Sequence, residues 1–262
     1  MTEKNIPSPR PERSERPSDS TPHSKRRDAW RIGQIWGIPL HLEPSWILLT
    51  VVIIFGYGSF LEHRFGLTPI TGYLSAGSFA VLLAVSVLLH EIGHAASARA
   101  FGWRVLRIDL SLMGGHTRFL ASEQAPLRCA VVSLIGPLVN LAIAGVCWMV
   151  RDLAQPQGAA GLVLYLMVMA NALVGLFNLL PGLPLDGGHA LVSLITALTG
   201  RRRWGLQMAA GISLVLSLGL CIGAVAAELW RTPLNLAALV LVVWFLISGA
   251  LSGLRRAQLL LR

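Results

Sequence analysis

Ala80-Val81-Leu82-Leu83-Ala84-Val85-Ser86-Val87-Leu88-Leu89-His90-Glu91-Ile92-Gly93-His94 is the stretch on which the reading of this chain turns. Its first ten residues carry no charge, glycine or proline and read as part of a membrane-spanning helix. Its last five place two imidazoles four residues apart, so that on a helix His90 and His94 share a face and can grip one cation. Glu91, beside the first of them, is then placed to act as general base toward a water activated by that cation. Groups suited to splitting water thus sit in apolar sequence, and the rest of the chain has to account for them.

Composition supports the membrane reading. Hydrophobic residues make up 54% of the chain, charged residues 13%, and the mean hydropathy is +0.62, whereas a soluble domain carries about 25% charged residues. The expected fold is an all-α polytopic membrane protein of about six transmembrane helices. Segments long enough to cross a bilayer, which takes about 20 residues, fall near 45–61, 74–98, 127–150, 159–180, 204–227 and 234–254. A shorter apolar stretch, Ala190 to Leu198, reads as a half-span or an extension of the fifth helix. Partial alternation from Val105 to Phe119 predicts a small β-hairpin after the second span.

Residues 1–28 are rich in Pro, Ser, Arg and Glu, lack the apolar core of a signal peptide, and are expected to be a disordered cytoplasmic tail. Residues 29–256 form the six-span core and 257–262 a cytoplasmic C-terminal end. Cys129, Cys147 and Cys221 are widely spaced and apolar in setting, and read as packing residues.

The formal charge of +9 raises the question of nucleic acid. Position answers it. Of the 22 Lys and Arg residues, all but Arg64, Arg151 and Arg231 fall on one side of the predicted spans. That is the positive-inside pattern of a multi-pass cell-membrane protein with both termini cytoplasmic; the positive charge reports topology, and nucleic-acid binding drops out. The second span then runs from outside to inside. His90 lies sixteen residues after Leu74, roughly 24 Å into a hydrocarbon core of about 30 Å, within the membrane but nearer the cytoplasm.

A zinc hydrolase requires a third protein ligand and an open position for water. The continuation H-x-x-G-x-x-H fails, because Ser97 and Ala100 occupy its last two defined positions. Glu123 falls in a polar connection beside Gln124 and Pro126, where a solvated acid or a helix start is expected. Asp186 is the stronger candidate: with Glu91 it is the only acid well inside apolar sequence, and a carboxylate at that depth implies a partner or an aqueous cavity. It lies in Asn178-Leu179-Leu180-Pro181-Gly182-Leu183-Pro184-Leu185-Asp186-Gly187-Gly188-His189, where prolines and glycines break the helix. Irregular backbone at membrane depth is tolerated only when buried in protein or lining a cavity. The fourth span also runs outside to inside, so this break returns to the depth of His90.

With these residues in place, the chain resembles the site-2 protease family of intramembrane zinc metalloproteases. The resemblance rests on His90-Glu91-Ile92-Gly93-His94 and on the Asn…Pro…Pro-x-Asp-Gly pattern from Asn178 to Gly187. Gly136-Pro137-Leu138-Val139-Asn140 and Leu112-Met113-Gly114-Gly115-His116-Thr117 add to it. It implies one Zn2+ per chain held by His90, His94 and Asp186, with Glu91 activating water for peptide hydrolysis. It further implies Asn178 as a hydrogen-bond donor to the oxyanion, and a hairpin edge to which an unwound substrate adds as a strand.

The substrates implied are transmembrane regulatory proteins, such as an anti-sigma factor or a membrane-tethered regulator, cleaved during regulated intramembrane proteolysis. The segment Trp36-Gly37-Ile38-Pro39-Leu40-His41 resembles a subgroup that often carries C-terminal CBS domains; the sequence stops at Arg262, so either a piece is missing or this member lacks that domain.

Asn140 is read as contacting substrate backbone or as an interhelical hydrogen bond. His189 is read as a partner of Asp186 or a polar residue at the membrane boundary. His116 is expected in a turn, while His23, His41 and His63 lie outside the spans and are not expected to be ligands. Two other classes remain open: a divalent-metal transporter using the same ligands, and an inactive metal-binding homologue. A transporter would string acids or histidines along a path, whereas here they cluster at one depth, and the intact Glu91 argues against inactivity.

Overall fold

The computed structural model describes residues 29–111, 114–120 and 125–260. The predicted tail and Glu123 lie outside the described residues, as do Leu112 and Met113 of the hairpin motif. Six helices are long and apolar enough to cross a membrane: Ser45–Phe65, Pro69–Ala100, Pro126–Ala154, Gly158–Asn178, Arg202–Ala226 and Asn235–Leu259. Each coincides with a predicted span. The first consists of α1 (Ser45–Val52) and α2 (Gly58–Phe65), joined by a π-helical turn over Ile53–Tyr57. Large apolar side chains such as Val81, Leu173, Leu218 and Trp244 face outward, the arrangement expected of helices whose solvent is lipid rather than water.

Helix α3 (Pro69–Ala100) is the axis of the molecule. Pro69 occupies its first turn and the Thr68 hydroxyl accepts from the Thr71 amide, a cap that fixes where the helix begins. At 32 residues it is about 48 Å long, and His90 sits about 15 Å before its C-terminal end. It packs against α4 (Pro126–Ala154) through Gly93, where an added Cβ would stand 3.0 Å from Val139 Cγ2 and 3.2 Å from Ile135 Cγ2. Small residues at such crossings let membrane helices approach closely, which is how they gain packing energy without a hydrophobic drive.

After α5 (Gly158–Asn178) the chain breaks, then starts a separate helix, α6 (Asp186–Thr199). Helix α6, which contains the apolar stretch Ala190 to Leu198, is thus a half-span of about 21 Å. It is no extension of the fifth span, because Gly200 takes a left-handed conformation (φ 68°) and separates it from α7 (Arg202–Ala226). Helix α8 (Pro233–Leu259) closes the bundle beside α7 and continues three residues past the predicted core boundary.

The predicted hairpin forms as β3 (Val105–Ser111) and β4 (Gly114–Phe119), but it belongs to a four-stranded sheet. Strands β1 (Trp30–Ile35) and β2 (Ile38–Leu42) make a second antiparallel hairpin, and β2 pairs in parallel with β3, Leu40 opposite Ile108. The sheet order β1-β2-β3-β4 leaves β4 at one edge. One face, carrying Ile38, Leu40, Ile108 and Leu110, packs on α3 around Ala95, Val87 and Leu88. The other face is polar, with His41, Asp109 and His116 in one row across three strands.

Candidate metal centre

Helical spacing brings the rings of His90 and His94 together, edge to face with centroids 4.8 Å apart. Both are buried, as is Glu91. The broken segment after α5 delivers Asp186, the first residue of α6, to the same point. Its Oδ2 lies 3.1 Å from His90 Nε2 and 3.5 Å from His94 Nε2, and the two Nε2 atoms are 3.1 Å apart. Three atoms bound tetrahedrally to one zinc at about 2.0–2.1 Å would be about 3.3 Å from one another. The observed triangle has those edges.

The other ring nitrogens say which atoms face this point. His94 Nδ1 lies 2.7 Å from the Val132 carbonyl, and His90 Nδ1 lies 2.5 Å from Asn140 Oδ1. A backbone carbonyl can only accept, so His94 Nδ1 carries a proton, which in the neutral ring leaves the Nε2 lone pair facing this point. Two imidazole Nε2 atoms and a carboxylate oxygen converging this closely are the donor set of a divalent cation site. Gly136 of α4 keeps the space clear: a Cβ there would run into the Nε2 atoms of both histidines.

Glu91 shares the region, since one carboxylate oxygen and one ring nitrogen from each histidine fall within 4.8 Å of one another. It stands apart from the tight triangle, however. Thr117 of β4 donates its hydroxyl to Glu91 Oε2 at 2.7 Å, and Gly115 of the same strand leaves room for the Glu91 side chain, which a Cβ there would strike. The core-facing side of β4 therefore shapes the setting of the acid. Sequence reading placed Thr117 in a hairpin but gave it no role, because nothing local pairs it with a residue on α3.

The break that carries Asp186 is pinned from two sides. Ser213 of α7 donates to the Leu183 carbonyl at 2.8 Å, and Gly249 of α8 admits Pro184 where a side chain would collide. A cavity of about 790 Å³ extends from the histidines past Asn178 and the exposed edge strand to Arg202 and Arg256, at the near ends of α7 and α8. Asn178, at the last turn of α5, lines it, and its carboxamide makes no hydrogen bond among the described residues.

The remaining predicted residues separate. Asn140 is buried beside His90 and makes the interhelical hydrogen bond that was one of its two readings. His189 lines the cavity, and its ring makes no hydrogen bond to Asp186 among the described residues. His116 lies in strand β4 rather than in a turn and borders the cavity at the sheet's edge, while His41 sits 3.6 Å from Asp109 in the sheet and His63 contacts the Ser59 carbonyl on α2. Two residues the sequence reading passed over, Ser86 and Asn171, join Asn140 in a buried polar cluster. Asn171 had a signal: a carboxamide in the middle of an apolar span is costly unless it has partners.

The sequence model described as peptidase family M50 matches residues 78–160 and 153–221, which include His90, Glu91, His94 and Asp186. A Synechocystis sp. protein designated a candidate zinc metalloprotease is 33% identical over 230 residues, covering 87% of this chain and 60% of its own length. A zinc metalloprotease of Methanocaldococcus jannaschii is 31% identical over 167 residues, covering 63% of this chain and 45% of the relative. The stage IV sporulation protein FB of Bacillus subtilis is 32% identical over 180 residues, covering 68% and 59%. The chain thus spans 45% to 60% of the length of these relatives. Among solved structures, the site-2 protease from Methanocaldococcus jannaschii superimposes with a TM-score of 0.57 at 26% identity, covering 86% of this chain and 95% of that one. The matched residues hold the donor triangle, the neighbouring acid and the helical frame around them, and the chain belongs to peptidase family M50, the site-2 protease family.

Proposed function

We propose that this protein is an intramembrane zinc endopeptidase that hydrolyses peptide bonds within transmembrane segments of membrane-bound regulatory proteins. The observation that carries the reading is the triangle of His90 Nε2, His94 Nε2 and Asp186 Oδ2, with Glu91 beside it. These three residues would hold the zinc. When bound, zinc supplies Lewis acidity, polarising the scissile carbonyl and making water nucleophilic near neutral pH.

Glu91 takes the proton from the attacking water and passes it to the leaving amine. Thr117 keeps the carboxylate turned toward the cavity by occupying Oε2. Asn178, with a carboxamide uncommitted among the described residues, donates to the oxyanion as charge develops there. The cavity brings water from the end marked by Arg202 and Arg256, which the positive-inside pattern makes cytoplasmic, along with both termini.

A peptide bond inside a transmembrane helix is internally hydrogen-bonded and shielded. The substrate therefore has to unwind locally, and β4 offers an edge along the cavity to which an extended segment adds as a strand. Helix-breaking Gly or Pro near the scissile bond favours cleavage. An anti-sigma factor or a membrane-tethered regulator is the substrate class implied by the family.

The test is metal removal in the purified protein reconstituted with a transmembrane substrate. Stripping zinc with a chelator abolishes cleavage, and adding back one equivalent restores it. Cleavage that persists at undetectable zinc would overturn the proposal.

A further inference from the structure

Asn140, Asn171 and Ser86 are each at most 2% exposed and meet where α3, α4 and α5 pack. Their hydrogen bonds have a direction that can be read from one end. Asn171 Nδ2 donates to the Met167 carbonyl at 2.9 Å. That carbonyl can only accept, so the Asn171 carboxamide is oriented, and its Oδ1 faces α4. Oδ1 accepts from Asn140 Nδ2 at 2.9 Å and from the Ser86 hydroxyl. The second hydrogen of Asn140 Nδ2 goes to Ser86 Oγ at 3.2 Å. Both donor positions of Asn140 are thereby used, and its Oδ1 is left facing His90 Nδ1.

We infer that Asn171 and Ser86 act through Asn140 as a positioning relay that dictates which nitrogen of His90 carries the proton. Each link leaves the next group one role. Asn140 Oδ1 can only accept, so His90 Nδ1 carries the hydrogen and Nε2 turns a lone pair to Asp186 and His94. Reversing the Asn140 amide would set its Oδ1 against Asn171 Oδ1 and its NH2 against His90 Nδ1. The ring would then protonate at Nε2, the wrong nitrogen for a ligand. His94 needs no relay, because a backbone carbonyl serves it directly. The inference rests on the reading of His90 as a zinc ligand.

Two readouts test it: zinc affinity by competition with a chelator, and 15N NMR of the histidine rings in the metal-free protein, with His90 assigned by its loss in His90→Gln. The wild type is expected to show His90 protonated at Nδ1. Asn171→Leu, which touches neither His90 nor the ligands, is expected to move His90 toward the Nε2-protonated form. It should also weaken zinc binding about ten- to hundred-fold, the usual effect of losing a group behind a metal ligand.

Asn140→Asp is the decisive background. A carboxylate accepts from Nδ1 whichever way it turns, so Asn171→Leu added to Asn140→Asp is expected to change the tautomer not at all and zinc affinity by less than about twofold. A merely structural Asn171 would cost the same in both backgrounds, and that result overturns the relay. So does an unchanged tautomer in Asn171→Leu. Failure of the wild type to bind zinc would instead sink the ligand assignment, and the NMR comparison would still judge the relay.

Discussion

Two buried polar clusters lie within one protein and are built differently. Around His90, the side chains of Ser86, Asn140 and Asn171 close a network in which no polar atom lacks a partner. Across the sheet, His41 Nδ1 and Asp109 Oδ1 are buried without a hydrogen bond among the described residues, and Asp109 relies on Arg107 at 2.8 Å and Arg118 at 3.5 Å. The first cluster is packed between membrane spans, where its members are at most 2% exposed and an unsatisfied group costs several kcal/mol. The second belongs to the sheet, where exposed arginines neutralise the acid at little cost. Complete satisfaction marks the cluster that has to hold a geometry; loose ion pairing marks the one that only has to hold a sheet.

The contrast can be broken most severely at Gly136. Ala is the better helix former by about 1 kcal/mol. That offsets part of the strain of about 1–3 kcal/mol that a methyl group set against both histidine rings introduces, so Gly136→Ala should still fold, with a modestly lowered melting temperature. Its methyl group nevertheless enters the space between the two Nε2 atoms. Zinc content should fall to near zero and cleavage with it, and elemental analysis beside a thermal melt separates the two effects. Full zinc loading in a folded Gly136→Ala protein would mean that the cation binds elsewhere.

Thr117→Val tests the next level. It keeps the shape of β4 and removes the hydroxyl that donates to Glu91. Zinc stoichiometry should stay at one, while kcat falls about tenfold, the scale of a lost hydrogen bond to a charged group. A change confined to KM would reassign Thr117 to substrate binding.

The smallest effect belongs to the other cluster. Asp109→Asn removes the charge paired with Arg107 and Arg118, a loss of about 1 kcal/mol or less for arginines this exposed. The melt should shift by a few degrees, with cleavage within about twofold of wild type. A large loss of cleavage would join the sheet's polar face to the active centre.

Much of this arrangement is legible in the sequence because membrane solvent makes strong demands. Spans announce themselves through apolar length, and Asp186 through its cost in apolar surroundings next to Pro181, Gly182 and Pro184. The sheet is less legible. Its β2–β3 pairing joins Leu40 to Ile108 in parallel across the first two spans, and no local pattern encodes such a contact. The β1–β2 hairpin did leave a trace: Ile38, Leu40 and Leu42 alternate after Trp36-Gly37, both of which adopt positive φ (52° and 78°) in a two-residue turn. Thr117 and Asn171 were missed for one reason: each acts through a partner on another element, so its role exists only once the elements are packed.

The most direct measurement pairs zinc content with cleavage of a transmembrane substrate in the wild type and in Glu91→Gln. The expected result is one zinc per chain in both proteins, with cleavage abolished in the variant, since the donor triangle survives and only the base is lost. Unchanged cleavage by Glu91→Gln would contradict the central claim.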